Sequence, residues 1–102
     1  MTILLLLAAC GLLEDYETGI RTYCDAPTRC PTCAEAADPA ERAARATAWA
    51  GEVIGNQRAR MVWEKTATFS AERKGGVLRA AAAKAEVRPC EMADLYDDVA
   101  GR

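Results

Sequence analysis

Four cysteines constrain the fold of this 102-residue chain more than any other feature of the sequence. Cys24, Cys30 and Cys33 lie close together towards the N-terminus, and Cys90 lies near the C-terminus. In an oxidising compartment an even number of cysteines predicts two disulfides, with three possible connectivities. Every complete pairing joins Cys90 to one of the N-terminal cysteines. We therefore expect one disulfide that closes most of the domain into a loop and, on the chain-entropy model, contributes about 4 kcal/mol.

The beginning of the chain indicates which compartment applies. An uninterrupted apolar run ends in two alanines and a fifth cysteine, Cys10, and no similar run occurs downstream. The run from Thr2 to Ala9 is far shorter than the roughly 20 residues that span a bilayer. It also has no polar face, which a core helix would be expected to show. Such a segment is typical of an export signal.

The motif Leu7-Ala8-Ala9-Cys10 resembles the lipobox of bacterial lipoproteins. The resemblance implies that residues 1–9 are a signal peptide cleaved before Cys10, and that the Cys10 thiol receives a diacylglycerol. The freed amine is usually acylated as well, with palmitate, and at least two such anchors hold a protein stably on a membrane. Gly11 stands where an Asp favours the inner membrane, so the resemblance implies an outer-membrane lipoprotein facing the periplasm. The alternatives are an ordinary secretory signal and an N-terminus that is apolar by chance.

Removal of residues 1–9 leaves one small domain. We expect residues 10–15 to form the lipidated cysteine and a tether, and residues 16–102 to form a helical domain. No strand pattern of alternating residues occurs in the sequence. The predicted fold is therefore an all-α bundle of four to five short helices, stapled by disulfides.

Capping signals place most of the helix boundaries. Asp38-Pro39-Ala40-Glu41 predicts a capped helix start, and Asn56 and Ser70 are the predicted caps of the next two helices. The predicted helices cover about residues 16–24, 38–54, 56–69, 70–86 and 90–99. The inward positions predicted for the helix that follows Asp38 are Ala46, Trp49, Ala50 and Val53.

Three connections complete the predicted architecture. Residues 25–33 are expected to be an irregular, cysteine-stapled loop. The short connections at Gly55-Asn56 and around Ser70 predict that the helices on either side pack as antiparallel neighbours. Gly75-Gly76 either lies inside the helix capped by Ser70, or forms the turn that follows a preceding helix running through to Lys74.

The residue types limit the available chemistry. The chain contains no histidine, which removes the commonest general base, the Ser-His and Cys-His pairs and most catalytic zinc sites. Ser70, the only serine, is better explained as a helix cap. The net charge of −2 gives no electrostatic reason to expect a nucleic-acid partner. We therefore predict no enzyme activity and no cofactor.

Cys30-Pro31-Thr32-Cys33 is the one motif of chemical interest. A redox dithiol would act through a lowered thiol pKa at a helix N-terminus, as in thioredoxin-like proteins. Cys24 would then pair with Cys90. Thioredoxin-like proteins place the motif between a strand and a helix, and no strand is predicted here, so structural disulfides are favoured. The other alternative is a structural zinc site with four cysteine ligands.

Two further groups of residues are candidate sites. Trp49 and Trp63 would make an aromatic ligand platform, but their helical spacing among Ala and Val favours core packing. Asp94, Asp97 and Asp98 would bind a cation, but without further ligands a solvated helix end is favoured.

The mature part also loosely resembles small uncharacterised lipoproteins of Gram-negative bacteria. The resemblance lies in Tyr23-Cys24-Asp-Ala-Pro, in Asp-Pro-Ala-Glu-Arg at residues 38–42, and in the positions of Cys33 and Cys90. It implies no activity beyond the envelope address and the helical fold. We therefore expect a membrane-anchored lipoprotein with a structural or protein-binding role. Its expected partners are the membrane, through lipid on Cys10, and an envelope protein.

Overall fold

Six α-helices and one turn of 3-10 helix make up the part of the chain that the computed structural model describes, residues 14–102. The helices are α1 (Tyr16–Cys24), α2 (Ala26–Arg29), α3 (Pro39–Val53), α4 (Gln57–Ala67), α5 (Ala71–Lys84) and α6 (Glu91–Ala100), and the 3-10 turn is Cys33–Glu35. No strand occurs among these residues. The predicted all-α, disulfide-stapled bundle is confirmed. The helix beyond the expected number is α2, a single turn inside the stretch that was predicted to be irregular.

The predicted signal peptide, residues 1–9, and the predicted lipidation site, Cys10, lie outside the described residues. Within residues 14–102, none of the helices combines the length and the apolar character that crossing a membrane requires.

The domain begins earlier than the predicted boundary at residue 16. The Asp15 carboxylate caps α1 by accepting a hydrogen bond from Thr18 N at 2.7 Å. The Glu14 carboxylate accepts hydrogen bonds from the backbone N–H groups of Gly55 and Asn56, at 2.9 and 2.7 Å. Both residues were predicted to belong to the tether. Glu14 and Asp15 are instead part of the folded domain, because hydrogen bonds to Glu14 hold the N-terminal end of the domain against the connection between α3 and α4.

Two of the three predicted caps act as expected. Asp38 Oδ1 accepts from Glu41 N at 2.8 Å, and Glu41 Oε2 accepts in return from Ala37 N at 3.0 Å, so the predicted capping box is present. Asn56 Oδ1 accepts from Ala59 N at 3.0 Å. Ser70 does precede α5, but its side chain makes no capping hydrogen bond.

The inward face of α3 consists of alanines. Ala43, Ala46 and Ala50 are buried, whereas Val53 is 43% exposed, so its predicted inward position is wrong. Alanine side chains let the neighbouring elements come close to the α3 backbone, and the larger core side chains come from the other helices and from the segment between α5 and α6. The largest fully buried ones include Tyr23, Ile20, Leu78, Met92 and Val87.

The glycine pair lies within α5, so the alternative of a turn at Gly75-Gly76 is wrong. Helices α5 and α6 form the most extensive helix pair of the fold. A Cβ atom at Gly75 would lie only 2.8 Å from the carbonyl oxygen of Ala93 on α6. Glycine disfavours helix formation, but α5 has a glycine at position 75 because no larger residue fits against α6 there.

Helix α5 ends in a Schellman motif. The Val87 N–H donates to Ala82 O at 2.8 Å, and the Glu86 N–H donates to Ala83 O at 3.1 Å. Glu86 occupies the left-handed position of the motif, with φ of 59°, where glycine is the usual residue. Val87 is buried and directs the chain back into the core towards Cys90.

Candidate functional site

The two disulfides are Cys24–Cys90 and Cys30–Cys33. Cys24–Cys90 joins the end of α1 to the residue that precedes α6, across a sequence separation of 66 residues. The prediction that Cys90 pairs with one of the N-terminal cysteines is confirmed. Because all four thiols are in disulfides, they do not offer the four thiolates that a zinc site of this kind needs. The structure also places no three metal-ligating side chains together anywhere in residues 14–102.

The Cys30–Cys33 disulfide lies in a protected position. The two residues are 6% and 1% exposed. Cys30 follows the C-terminus of the single-turn helix α2, whereas a redox-active thiol gains its low pKa at a helix N-terminus. The geometry is that of a structural staple for the segment between α2 and α3.

The two tryptophans do not form a common platform. Trp49 is half-buried, with the Arg29 guanidinium 5.7 Å from the centre of its ring. Trp63 is also half-buried, and its indole N–H donates to Thr47 O at 2.9 Å. Both pack against the core, as predicted, but only Trp63 also lines a cavity, which is described below.

The three C-terminal aspartates are engaged in exposed ion pairs. The Arg79 guanidinium lies 2.9 Å from a carboxylate oxygen of Asp94 and 2.9 Å from one of Asp97. Asp98 pairs with Arg102 at 3.3 Å. Hydrogen bonds to Asp94 and Asp97 raise the pKa of Arg79 above its ordinary value. The interpretation of these carboxylates as a solvated helix end is confirmed.

An open groove of about 660 Å³ lies between α3, α4, α5 and α6. We call it the α3 groove. Its lining residues are Ala43, Ala44, Thr47, Ala48, Gly51, Glu52, Trp63, Ala71, Lys74, Tyr96 and Val99. Most of them are small or apolar. The volume lies within the range typical of small-molecule sites.

The α3 groove exists because α3 and α4 do not pack side by side. The two helices are consecutive, and the short connection predicted close packing between them, but α4 packs mainly on α1 and α5. The Trp63 side chain crosses the space between α4 and α3 and rests on Gly51. A Cβ atom at Gly51 would lie 2.7 Å from Trp63 Cη2, so only glycine lets the indole lie there. The indole then forms one wall of the groove.

A chain of three hydroxyl groups ends at the groove. The Tyr23 and Tyr96 hydroxyl oxygens are 2.7 Å apart, and Tyr96 Oη is 2.7 Å from Thr47 Oγ1. Burial raises the pKa of Tyr23 and of Tyr96 above the ordinary tyrosine value, so both hydroxyls stay protonated at neutral pH. The three hydroxyl groups carry three hydrogens but form only two hydrogen bonds with one another. Among the three residues, Thr47 is the one that is only half-buried. Thr47 therefore supplies a polar point in an otherwise apolar wall.

Lys74 supplies the positive charge of the groove. Its ammonium group donates to Thr66 O at 3.3 Å and to Ala67 O at 3.2 Å, the last carbonyls of α4. None of the salt bridges in residues 14–102 involves Lys74. The ammonium has three hydrogens and uses two in these bonds, so one remains to donate to a ligand. The only other charged lining residue is Glu52, which is exposed.

Sequence patterns did not indicate this groove. Of its lining residues, only Trp63 is a candidate site residue in the sequence, as one half of an aromatic pair. One signal was present: the alanines of α3 spread beyond the buried face of Ala43, Ala46 and Ala50 to Ala44 and Ala48, so small side chains also occupy an exposed face of the helix.

Comparison of the chain with protein-family models found no match, and searches of curated proteins and of solved structures found no significant match. The fold and the cysteine pairing define the class of protein, which is a small disulfide-linked all-α domain.

Proposed function

We propose that this protein is a membrane-anchored bacterial lipoprotein with a structural or protein-binding role in the cell envelope. A lipid on Cys10 anchors it, in the outer membrane and facing the periplasm, and the helical domain acts without catalysis. The observation that carries the proposal is that every cysteine downstream of Cys10 is used in a disulfide. Disulfides of this kind persist in oxidising compartments, and this agrees with the export signal that ends at Cys10.

The side chains in the described residues support a non-catalytic role. The chain has no histidine, and the carboxylates clustered near the C-terminus are paired with Arg79 and Arg102. The buried hydroxyls of Tyr23 and Tyr96 bond to each other, and their raised pKa values keep both protonated at neutral pH, so neither is available as a phenolate.

The test of the anchor is the intact mass of the protein extracted from membranes, measured before and after reduction. We expect the loss of residues 1–9, added lipid mass at Cys10, and a gain of four hydrogens on reduction because two disulfides open. A Cys10→Ser variant is the matched control and should carry no lipid. A mature chain that keeps residues 1–9, or that carries an unmodified Cys10, would refute the lipoprotein proposal.

The test of the binding role is crosslinking in intact envelopes. We expect a reproducible crosslinked product with an envelope protein for the lipidated chain, and much less of it for Cys10→Ser, which is held in the wrong place. If no partner is captured and purified protein instead converts a substrate, the non-catalytic proposal fails.

A membrane-tethered thiol–disulfide oxidoreductase is the second candidate, because the cysteine pairing is the one it requires. Cys24 pairs with Cys90, which leaves Cys30–Cys33 as a separate pair. In the reaction a substrate dithiol would become a disulfide, and the Cys30–Cys33 bond would accept its two electrons and two protons. The burial of both cysteines opposes this candidate.

Titration against a glutathione redox buffer separates the two candidates. A structural disulfide resists reduction by glutathione, whereas a catalytic pair is reduced under mild conditions and exchanges with a substrate protein. If the Cys30–Cys33 pair is catalytic, a Cys30→Ser, Cys33→Ser variant should lose the thiol–disulfide exchange of the parent chain. If the pair is structural, the variant should show no such loss. Zinc bound to protein whose thiols are free would instead support the four-cysteine zinc alternative.

A further inference from the structure

We propose that the α3 groove binds one fatty acid, with the alkyl chain along the alanine face of α3 and the carboxylate at Lys74. The inference rests on the groove alone and holds whether or not Cys10 carries a lipid.

The walls of the groove suit an alkyl chain. Ala44 and Ala48 are exposed on α3, and Val99 and the Trp63 ring line the remaining sides. Burial of apolar area is favourable by about 25 cal/mol per Å², so an alkyl chain gains free energy along its whole length. The groove is open at its surface, and a flexible chain can therefore enter it without any helix moving.

The charge of the groove suits a carboxylate. The Lys74 ammonium pairs with none of the carboxylates in residues 14–102 and has one hydrogen left to donate. Two backbone carbonyls of α4 hold it in place, so little side-chain entropy is lost when a ligand binds. The exposed Glu52 is the only negative lining residue and disfavours an anionic group at its own position. The carboxylate is thus directed to Lys74.

A fatty acid fits the groove better than a protein helix does. A docked helix inserts large apolar anchors and buries on the order of 800 Å² on each partner. Such an interface needs apolar surface that continues beyond the groove. The exposed large hydrophobic residues of residues 14–102 are Val53 and Met61, and neither lines the groove. The apolar surface is confined to a narrow strip, which suits a single chain.

The test uses the full chain with Cys10→Ser, so that no attached lipid competes, and with Trp49→Phe, so that Trp63 is the only tryptophan. Dodecanoate is added below its micelle concentration, and Trp63 emission is followed. We expect a saturable change. Lys74→Met should weaken dodecanoate binding about 10-fold, because one charge-assisted hydrogen bond is lost. It should leave the binding of dodecanol unchanged. Lys84→Met, on the same helix but outside the groove, should affect neither ligand.

A second pair of variants tests the location. Ala48→Phe fills the groove and should abolish the response to both ligands, whereas Ala40→Phe, on the same helix but outside the groove, should not. Circular dichroism shows whether each variant is folded, and Ala44→Phe replaces Ala48→Phe if that variant is not.

Three results would overturn the proposal. The first is the absence of a saturable response. The second is an equal effect of Lys74→Met on the acid and on the alcohol. The third is a dimer of the parent chain that Ala48→Phe dissociates, because a second copy would then occupy the groove.

Discussion

Tyr23 and Tyr96 face each other edge to face, with ring centres 6.3 Å apart, ring planes at 82° and hydroxyl oxygens 2.7 Å apart. They are separated by 73 residues in sequence and join α1 to α6. The adjacent Cys24 joins the same two parts of the chain through its disulfide with Cys90. A covalent bond, a hydrogen bond and an aromatic contact therefore reinforce one junction, and the hydroxyl of Thr47 continues it to the α3 groove.

The tyrosine pair predicts a loss of stability at alkaline pH. Burial raises the pKa of both tyrosines above the ordinary value of 10.0. The unfolded chain therefore releases these protons at a lower pH than the folded chain, and the free energy of unfolding falls as pH rises above about 10. Each tyrosine contributes a slope of up to about 1.4 kcal/mol per pH unit. Urea unfolding at pH values from about 8 to about 11 measures this fall in the free energy of unfolding.

The control for this prediction is the double variant Tyr23→Phe, Tyr96→Phe. It should be less stable at neutral pH because the hydroxyl chain is lost, but its stability should fall less steeply above pH 10. An equally steep fall would show that other groups cause the alkaline transition.

The neighbouring glycines of α5 predict opposite effects of the same substitution. Nothing lies within 4 Å of a Cβ atom at Gly76, so Gly76→Ala should raise the free energy of unfolding by about 1 kcal/mol. A Cβ atom at Gly75 would meet α6, so Gly75→Ala should lower it by about 1 to 3 kcal/mol. Chemical denaturation of the two variants measures both effects. The close packing of α5 on α6 would be in doubt if both variants were stabilised.

The left-handed residue at the end of α5 predicts a stabilising substitution. A residue with a Cβ atom is strained at a φ of 59°, whereas glycine is not. Glu86→Gly should therefore raise the free energy of unfolding by about 1 kcal/mol and the thermal midpoint by about 5 °C. Lys84→Gly, within the last turn of α5, is the control and should lower stability by about 1 kcal/mol. A destabilised Glu86→Gly variant would contradict the helix end described above.

The two disulfides predict unequal losses of stability. On the chain-entropy model the Cys24–Cys90 bridge contributes about 4 kcal/mol, because it closes a long loop, and the Cys30–Cys33 bridge contributes about 2 kcal/mol. Replacing each pair by alanine and measuring urea unfolding compares them directly. We expect the variant without Cys24 and Cys90 to be the less stable. The opposite ranking would contradict the chain-entropy model for this protein. It would mean that the Cys30–Cys33 bridge stabilises the segment between α2 and α3 by more than its short loop predicts.

Local signals allowed most of the secondary structure to be predicted. Asp38 and Asn56 cap their helices because each accepts a bond from a backbone N–H three residues on, and such a contact depends only on neighbouring residues. The inward positions Ala46 and Ala50 of α3 follow from helical periodicity for the same reason.

Features that depend on distant residues could not be predicted in this way. Glu14 was assigned to a tether because its partners, the backbone groups of Gly55 and Asn56, are about 40 residues away. The α3 groove depends on how far α3 stands from α4. That separation is set by the packing of α4 on α1 and α5, which no pattern within α3 or α4 encodes. The charge of Lys74 in the groove is a further result of the same packing.

The Cys24–Cys90 bond has a consequence for proteolysis. A protease that cuts any one peptide bond between residues 24 and 90 opens the backbone but releases no fragment, because the two parts remain linked by that disulfide. The nicked molecule gains the mass of one water and keeps both halves of its core together. Fragments appear only after reduction, so damage to this protein by a single cut would pass unnoticed on a non-reducing gel.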